Sequence, residues 1–337
     1  MTEGDKTGGG PGSNQHGPKA RSTRPSKNAP VERVRQQIEG AGFVSTREAR
    51  TAIHDHARLV AKQGRFNQAQ ARQQFFAGRL VDRVFVLDLD EQWILKGGLS
   101  ALARNPMVRF SGEADMQSER NFDDANEDLL RAAEHDLGDQ INYRHVSTRA
   151  YERHPGSGRL SFEATIGGTT ETIVAVDVST VPRLTAAIER VPAMSPLGIR
   201  GLAGPAEYLL YPTVDQVADK AAATYERTSG LSGDQPSTRY HDLLDLEIIA
   251  RTRSIAGTEL HVAVVTEFKA RGLDLPETFD VPDRRAWGEA YERMAEAVPE
   301  LRYQKIDDGL AVVKGLLDPI LRGERPGRWN PEKLRWE

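Results

Sequence analysis

The sequence predicts an α+β chain: a small mixed sheet flanked by helices, followed by a mostly helical second half. Two patterns and their punctuation carry this. Short apolar or alternating runs, among them Trp93-Ile94-Leu95 and the stretches 159–166 and 171–178, fall between residues 91 and 211, where a period of two marks strands. Before and after that block the apolar residues recur at helical spacing, with a period near 3.6. Glycine, proline and small polar residues stand at the joints, as turn chemistry requires.

Taken in order, residues 1–30 are rich in Gly, Ser, Pro and Asn with almost no apolar side chain, so they are expected to form a disordered tail. Lys6, Lys19, Arg21, Arg24 and Lys27 stand there against Glu3 and Asp5, and a tail with that basic excess either solubilises the chain or touches RNA. Residues 31–85 read as helical: Val31 to Gly40, then Ser45 placed as an N-cap ahead of Arg47-Glu48, then a long helix near Asn67 to Asp88. Strand Trp93 to Leu95 ends in Gly97-Gly98, and a helix opens straight after it. The stretch from Glu113 to Asp139 is acidic, and Asn126 to Leu137 reads as an amphipathic helix with Leu129, Leu130, Ala133 and Leu137 inward and the acids in water. The strands 159–166 and 171–178 form a hairpin about Gly167-Gly168. Beyond residue 212 helical runs recur at 214–227, 240–254, 258–271, 284–297 and 308–322. The expected division is a tail over 1–30, a sheet-bearing unit with its leading helices over 31–211, and a helical unit over 212–337 that completes the cleft.

Bulk properties set limits. The chain has 337 residues and a net charge of −4, so it is no general nucleic-acid sponge, although a local basic surface is compatible with that charge. It has no cysteine, which removes disulfides, thiolate metal sites and a thiol nucleophile. No apolar run approaches the length of a membrane span, and the N-terminus lacks a secretory core; a cytoplasmic location is the default expectation. His54 and His56 are a close pair, but residues two apart do not face each other on a helix. Ser157 lies in Gly-Ser-Gly without the strand-to-helix context of an esterase elbow.

The stretch Trp93 to Asp115 carries the chemistry. Gly97 and Gly98 let backbone N–H groups approach a triphosphate, and the helix they open points its positive end at the same anion. Glu113 and Asp115 are two apart in a strand, so they share a face at about 7 Å. That spacing suits one divalent ion, or two ions roughly 4 Å apart. Ser111 precedes the pair by two residues and is expected beside the triphosphate, where phosphorylation would block the substrate's own phosphates. Each feature alone also has a plain structural reading, as a turn, a surface acid pair or a capping serine; their order along the chain favours nucleotide chemistry.

This arrangement resembles the nucleotidyltransferase superfamily and, within it, the AbiEii/AbiGii toxin family, which includes the MenT-type toxins of mycobacteria. The family's first motif is similar to Leu95 to Gly98, Arg104 and then Arg109-Phe110-Ser111-Gly112-Glu113-Ala114-Asp115, except that Glu113 stands where the family usually has Asp. Its later motif is similar to the helix bearing Lys220, a polar loop, and Arg239-Tyr240-His241-Asp242 with Asp245 following; His241 replaces the usual Lys. The sequence places Lys220, Ala223 and Arg227 on one side of that helix. The resemblance implies that Ser111, Glu113, Asp115, Lys220 and Asp242 are catalytic. It implies that Gly97, Gly98, Arg104, Arg109, Ser111 and Lys220 bind the NTP. It also implies that Asp177, among Val174, Val176 and Val178, joins Glu113 and Asp115 as a third metal carboxylate. Mg²⁺, or Mn²⁺ in its place, is the implied cofactor. The implied acceptor is RNA, the tRNA 3′ end, and the implied protein partner is a cognate antitoxin. An alternative class remains: a nucleotide- or RNA-binding regulator on the same fold, its chemistry weakened at Glu113 and His241.

Overall fold

Alternation builds the sheet. From Gly158 to Ile166 every second residue is buried and those between are only half-buried, the pattern of a strand with one covered face. Val174, Val176 and Val178 are buried in the same way on the neighbouring strand. The computed structural model describes residues 37–38, 40–63, 67–88, 90–105, 110–152, 155–180, 184–193, 197–230, 233–298, 301 and 304–337. The expected tail, 1–30, and Arg109 lie outside these.

In chain order, β1 (Gln37–Ile38) precedes α1 (Thr46–Lys62), α2 (Gln68–Leu87), β2 (Trp93–Lys96), α3 (Gly97–Arg104), β3 (Glu113–Ser118) and α4 (Phe122–Glu134). Next come β4 (Ile141–Ala150), β5 (Ser157–Ile166), β6 (Thr169–Ser179), β7 (Glu189–Pro192), β8 (Gly204–Pro205) and β9 (Glu207–Leu210). The second half holds α5 (Thr213–Tyr225), the hairpin β10 (Arg227–Gly230) and β11 (Gly233–Pro236), α6 (His241–Thr252), β12 (Ile255–Ala256) and α7 (Gly257–Ala270). It ends with α8 (Arg284–Ala295), α9 (Ile306–Leu321), β13 (Arg328–Asn330) and β14 (Arg335–Trp336).

Among the described residues the main sheet runs β4-β5-β6-β3-β2-β9-β7. It is mixed: β3 runs parallel to β6 and β2 parallel to β9, while the other neighbours are antiparallel. This is the expected α+β arrangement. Helices α2 and α4 cover one face, meeting the inward apolar residues of β3 to β6. The opposite face of β3, β5 and β6 keeps its polar side chains. Helix α2 is buried almost all round. Asn67 caps it and Gln70 returns a bond to the Asn67 backbone, closing a capping box that satisfies two end groups. Ser45 accepts from the Glu48 N–H at 3.2 Å and caps α1 as expected. The described residues from Gln37 onward belong to one compact unit.

Three expectations are corrected. Within Val31 to Gly40, Gln37 and Ile38 form a strand paired with Pro205 and Gly204; a pairing partner distant in sequence overrides local helix preference. Arg227 belongs to the β10–β11 hairpin and not to the helix of Lys220, which ends at Tyr225. Asp139 is fully buried and is no solvated acid. It accepts from Arg79 Nε at 2.8 Å and from Arg83 Nη2 at 2.7 Å and Nη1 at 3.0 Å. Burial alone would raise its pKa, but Arg83 and Arg79 hold it below the usual carboxylate range.

Removing one partner of such a buried pair leaves uncompensated charge. Asp139→Ala is expected to destabilise the protein by about 3–5 kcal/mol, read as a fall in the urea midpoint. An unchanged midpoint would show that the Arg79 and Arg83 charges are solvated and not held by Asp139.

Candidate active site

The glycine corner is set by the end of β2. Gly97 has φ +59°, a left-handed conformation that side chains disfavour. A Cβ there would fall 1.7 Å from Asp115 Oδ2, and one on Gly98 would fall 2.4 Å from Ser111 Oγ. The two glycines therefore let α3 start hard against β3. No side chain caps the start of α3, and its first residues, Gly97 and Gly98, line the cleft, which brings the partial positive charge of a helix end to it.

A row of charges crosses the sheet beside that corner. Lys96 on β2 is the register partner of Asp115 on β3, Asp115 that of Asp177 on β6, and Asp177 that of Arg159 on β5. Register partners project to the same face, with Cβ atoms about 4.5–5.5 Å apart. The order along the row is thus cation, acid, acid, cation. Burial, then the charge of Asp177, raises the Asp115 pKa to about 6; Lys220 and Lys96 oppose the shift and Glu113 adds to it. Asp177 instead accepts from Tyr151 Oη at 2.5 Å and from Arg159 at 2.8 Å and 2.6 Å. Lys96 Nζ stands 4.1 Å from the centre of the Tyr211 ring, a cation–π distance.

The helical half supplies the facing wall. Lys220 on α5 is buried and donates to Asp242 Oδ1 at 2.8 Å and to Asp245 Oδ2 at 2.7 Å, both on α6. Arg239 Nε donates to Asp242 Oδ2 at 2.6 Å. Asp219 pairs with Arg271; burial pushes its pKa up, but Lys96, Arg271, Arg239 and Lys220 hold it below the ordinary value. Between sheet and helices lies a cleft of about 640 Å³ lined by Lys96, Gly97, Gly98, Asp115, Asp177, Lys220, His241 and Asp242, among others.

The structure therefore brings together six of the residues expected in the site: Gly97, Gly98, Asp115, Asp177, Lys220 and Asp242. Others stand apart. Ser111 is buried beneath Gly98, with Oγ donating to the Glu113 carbonyl at 3.2 Å, and it does not line the cleft. Glu113 shares the Asp115 face, but its side chain is 49% exposed and bonds Arg159 at 3.0 Å outside the cleft lining. Arg104 is turned inward: Nε meets Glu189 at 2.8 Å and the guanidinium also bonds the Tyr211 carbonyl. It ties α3 to β7 and to the start of α5, and it does not line the cleft. Arg109 lies outside the described residues.

Sequence reasoning passed over Lys96, Tyr151, Arg159, Asp219, Arg239 and Arg271 as site residues. Some of the signal was there. Arg239, Asp242 and Asp245 are spaced by three, so on a helix they share a face, and Lys96 precedes the glycine pair directly. The donor set also fits a divalent cation. Asp115 and Asp177 are oxygen donors held side by side, and their mutual repulsion, visible in the raised Asp115 pKa, is what such an ion relieves. Among the described residues no group of three His, Asp or Glu converges at metal-holding distance; here Glu113 pairs with Arg159.

The family described as nucleotidyl transferase AbiEii toxin, type IV TA system, matches residues 79–312. That span is well over half of the chain, and the chain belongs to this family. Similar solved structures include MenT4, the nucleotidyltransferase toxin Rv2826c from Mycobacterium tuberculosis H37Rv. It is 16% identical, covers 79% of this chain and 99% of its own, and has a TM-score of 0.45. JHP933 from Helicobacter pylori is 12% identical over 75% of this chain and 92% of its own, with a TM-score of 0.44. No curated protein sequence matches the chain. Among the described residues no helix is long and apolar enough to cross a membrane.

The raised Asp115 pKa has a thermodynamic consequence. A carboxyl near 6 when folded and near its ordinary 3.8 when unfolded binds its proton more tightly in the folded state. Its contribution is fully favourable below about pH 4 and is lost as pH rises through 6. In chelator-treated protein, Asp115→Asn is expected to raise stability above pH 7 by up to about 3 kcal/mol, with the gain shrinking toward pH 4. Thermal melts across that range check it; a gain independent of pH would rule out Asp115 ionisation as the cause.

Proposed function

We propose that this AbiEii-family chain transfers a nucleotide from an NTP to an RNA acceptor, the tRNA 3′ end, as the toxin of its pair, and that a cognate antitoxin restrains it. The observation that carries the reading is the cleft itself: a glycine-opened helix end and the Asp115–Asp177 pair on one wall, with Lys220 fixed by two aspartates on the other. The type IV TA family supports the antitoxin, and the RNA acceptor is proposed from the resemblance of the motifs; neither rests on the geometry. The proposed location, in keeping with these substrates, is the cytoplasm.

The transfer is a displacement at phosphorus. An acceptor hydroxyl oxygen forms a bond to the α-phosphorus, the bond to the β-phosphate oxygen breaks, pyrophosphate leaves, and the hydroxyl proton passes to solvent or a base. This chain's residues bind and orient. The Gly97 and Gly98 N–H groups meet phosphate oxygens at the start of α3. Lys220 offers a fixed charge to the triphosphate, where a preformed donor stabilises developing charge more than a mobile one. Both Asp242 oxygens are engaged, by Lys220 and by Arg239, so Asp242 acts as the holder of those cations and not as the base. Asp115 and Asp177, with Glu113 at the margin, are the residues that would hold Mg²⁺, or Mn²⁺, which supplies charge neutralisation at the reacting phosphates. A second reading, a binding protein with weakened chemistry, is favoured by one observation, the outward position of Glu113.

Incubating the protein with Mg²⁺, each labelled NTP in turn and total RNA should place label on tRNA-sized RNA for at least one NTP. Lys220→Ala is expected to lower the transfer rate by about 10²–10³ and to weaken NTP binding. Asp242→Ala should lower transfer with less effect on NTP binding. NTP binding without labelled RNA under any of these conditions would sink the transferase reading and leave the binding protein.

A further inference from the structure

We infer that Arg159 is a positioning residue that holds Asp177 and Glu113 in place before the divalent cation arrives and competes with that cation for Asp177. The inference rests on the reading that Asp115 and Asp177 hold such an ion. Three observations carry it. First, the register places Arg159 directly across from Asp177, on the side away from Asp115. Second, the guanidinium spans both outer acids: Nη2 lies 2.6 Å from Asp177 Oδ2 and 3.0 Å from Glu113 Oε2, while Nε lies 2.8 Å from Asp177 Oδ1. Both oxygens of Asp177 are thus engaged by one cationic group, and Tyr151 Oη adds a further bond to Oδ1. Third, Asp177 lines the cleft and Arg159 does not, so an ion and the guanidinium approach the same carboxylate from opposite sides.

A unit positive charge beside a carboxylate lowers the affinity of that carboxylate for a second cation. At about 6 Å the repulsion between that charge and a divalent ion amounts to roughly four powers of ten in binding at an effective dielectric near 20, and to roughly one at that of bulk water. With its side chain 37% exposed, Arg159 feels part of that effect screened by water, and about tenfold is the expected size. The bidentate contact also aligns the Asp177 plane, which lysine would do less well while keeping the charge.

The test counts bound Mn²⁺ from the loss of the free-ion EPR signal and makes no use of catalysis. Wild type, Arg159→Gln, Arg159→Ser and Arg159→Lys are titrated without nucleotide. The two neutral variants should bind Mn²⁺ about tenfold more tightly than wild type, and Arg159→Lys should stay near wild type. Two neutral replacements are included so that poor folding of one leaves the comparison intact; serine already occupies the flanking same-face positions 157 and 161. Neutral variants that bind Mn²⁺ no more tightly than wild type, while wild type does bind it, would overturn the role of Arg159 and leave the metal reading standing. Absence of Mn²⁺ binding in every variant would overturn both.

Discussion

Asp115 and Asp177 sit at paired positions of parallel strands, and like charges so placed repel unless a cation stands beside them. They cannot retreat. Ala114, Met116, Val176 and Val178, which alternate with them on the same two strands, are buried on the opposite face, and a one-residue slip would send those side chains into water and the acids into the core. Hydrophobic packing on one face thus enforces electrostatic tension on the other. The tension is met at the ends of the row, by Lys96 and Arg159, and across the cleft by Lys220. Gly97 belongs to the same constraint, because any side chain there would displace the Asp115 carboxylate.

The two walls of the cleft must also keep their spacing. Glu189 serves this end. It accepts from Arg104 at the end of α3, from the Thr213 N–H and hydroxyl at the start of α5, and from Arg253 just after α6. One carboxylate thus joins the glycine-opened helix to both helices that carry Lys220 and its aspartates. Arg104, which the motif resemblance reads as a phosphate ligand, is held in this junction. Burial lowers its pKa although Glu189 opposes the shift, and a guanidinium with so many partners is held in place as firmly as a backbone group.

Much of this was legible in the chain because the signals were local. The glycine pair after an apolar strand, the alternate acids, the capping residues Ser45 and Asn67 and the helical periodicity of the second half each sit within a few residues. What escaped depends on register. A plain two-residue turn at Gly167-Gly168 keeps a constant pairing, as in Ile166 with Thr169 and Thr165 with Thr170, and would set Gly158 opposite Asp177. An irregularity between Ala164 and Thr165 shifts the pairing by one and brings Arg159 there instead. Nothing in the local sequence announces such a bulge. Asp139 escaped for a related reason: it lies between α4 and β4 while its partners Arg79 and Arg83 lie on α2, and an acid among acids looks solvated until the distant cations are known.

The same register gives a physical meaning to Glu113, the residue that stands where the family's motif usually has Asp. Glu113 is paired with Ala175, one same-face step along β3 from the charged row. To touch Arg159 it must reach diagonally across β6, a span that suits the longer side chain. Its carboxylate bonds the guanidinium and lies largely in water, so it adds to the outer cationic contact more than to the inner acid pair. The acids that remain to face the cleft are Asp115 and Asp177, both short and both on strands fixed by the core. Glu113 therefore adds its negative charge to the support behind the cleft, and the Arg159 guanidinium lies between two acids instead of resting on one.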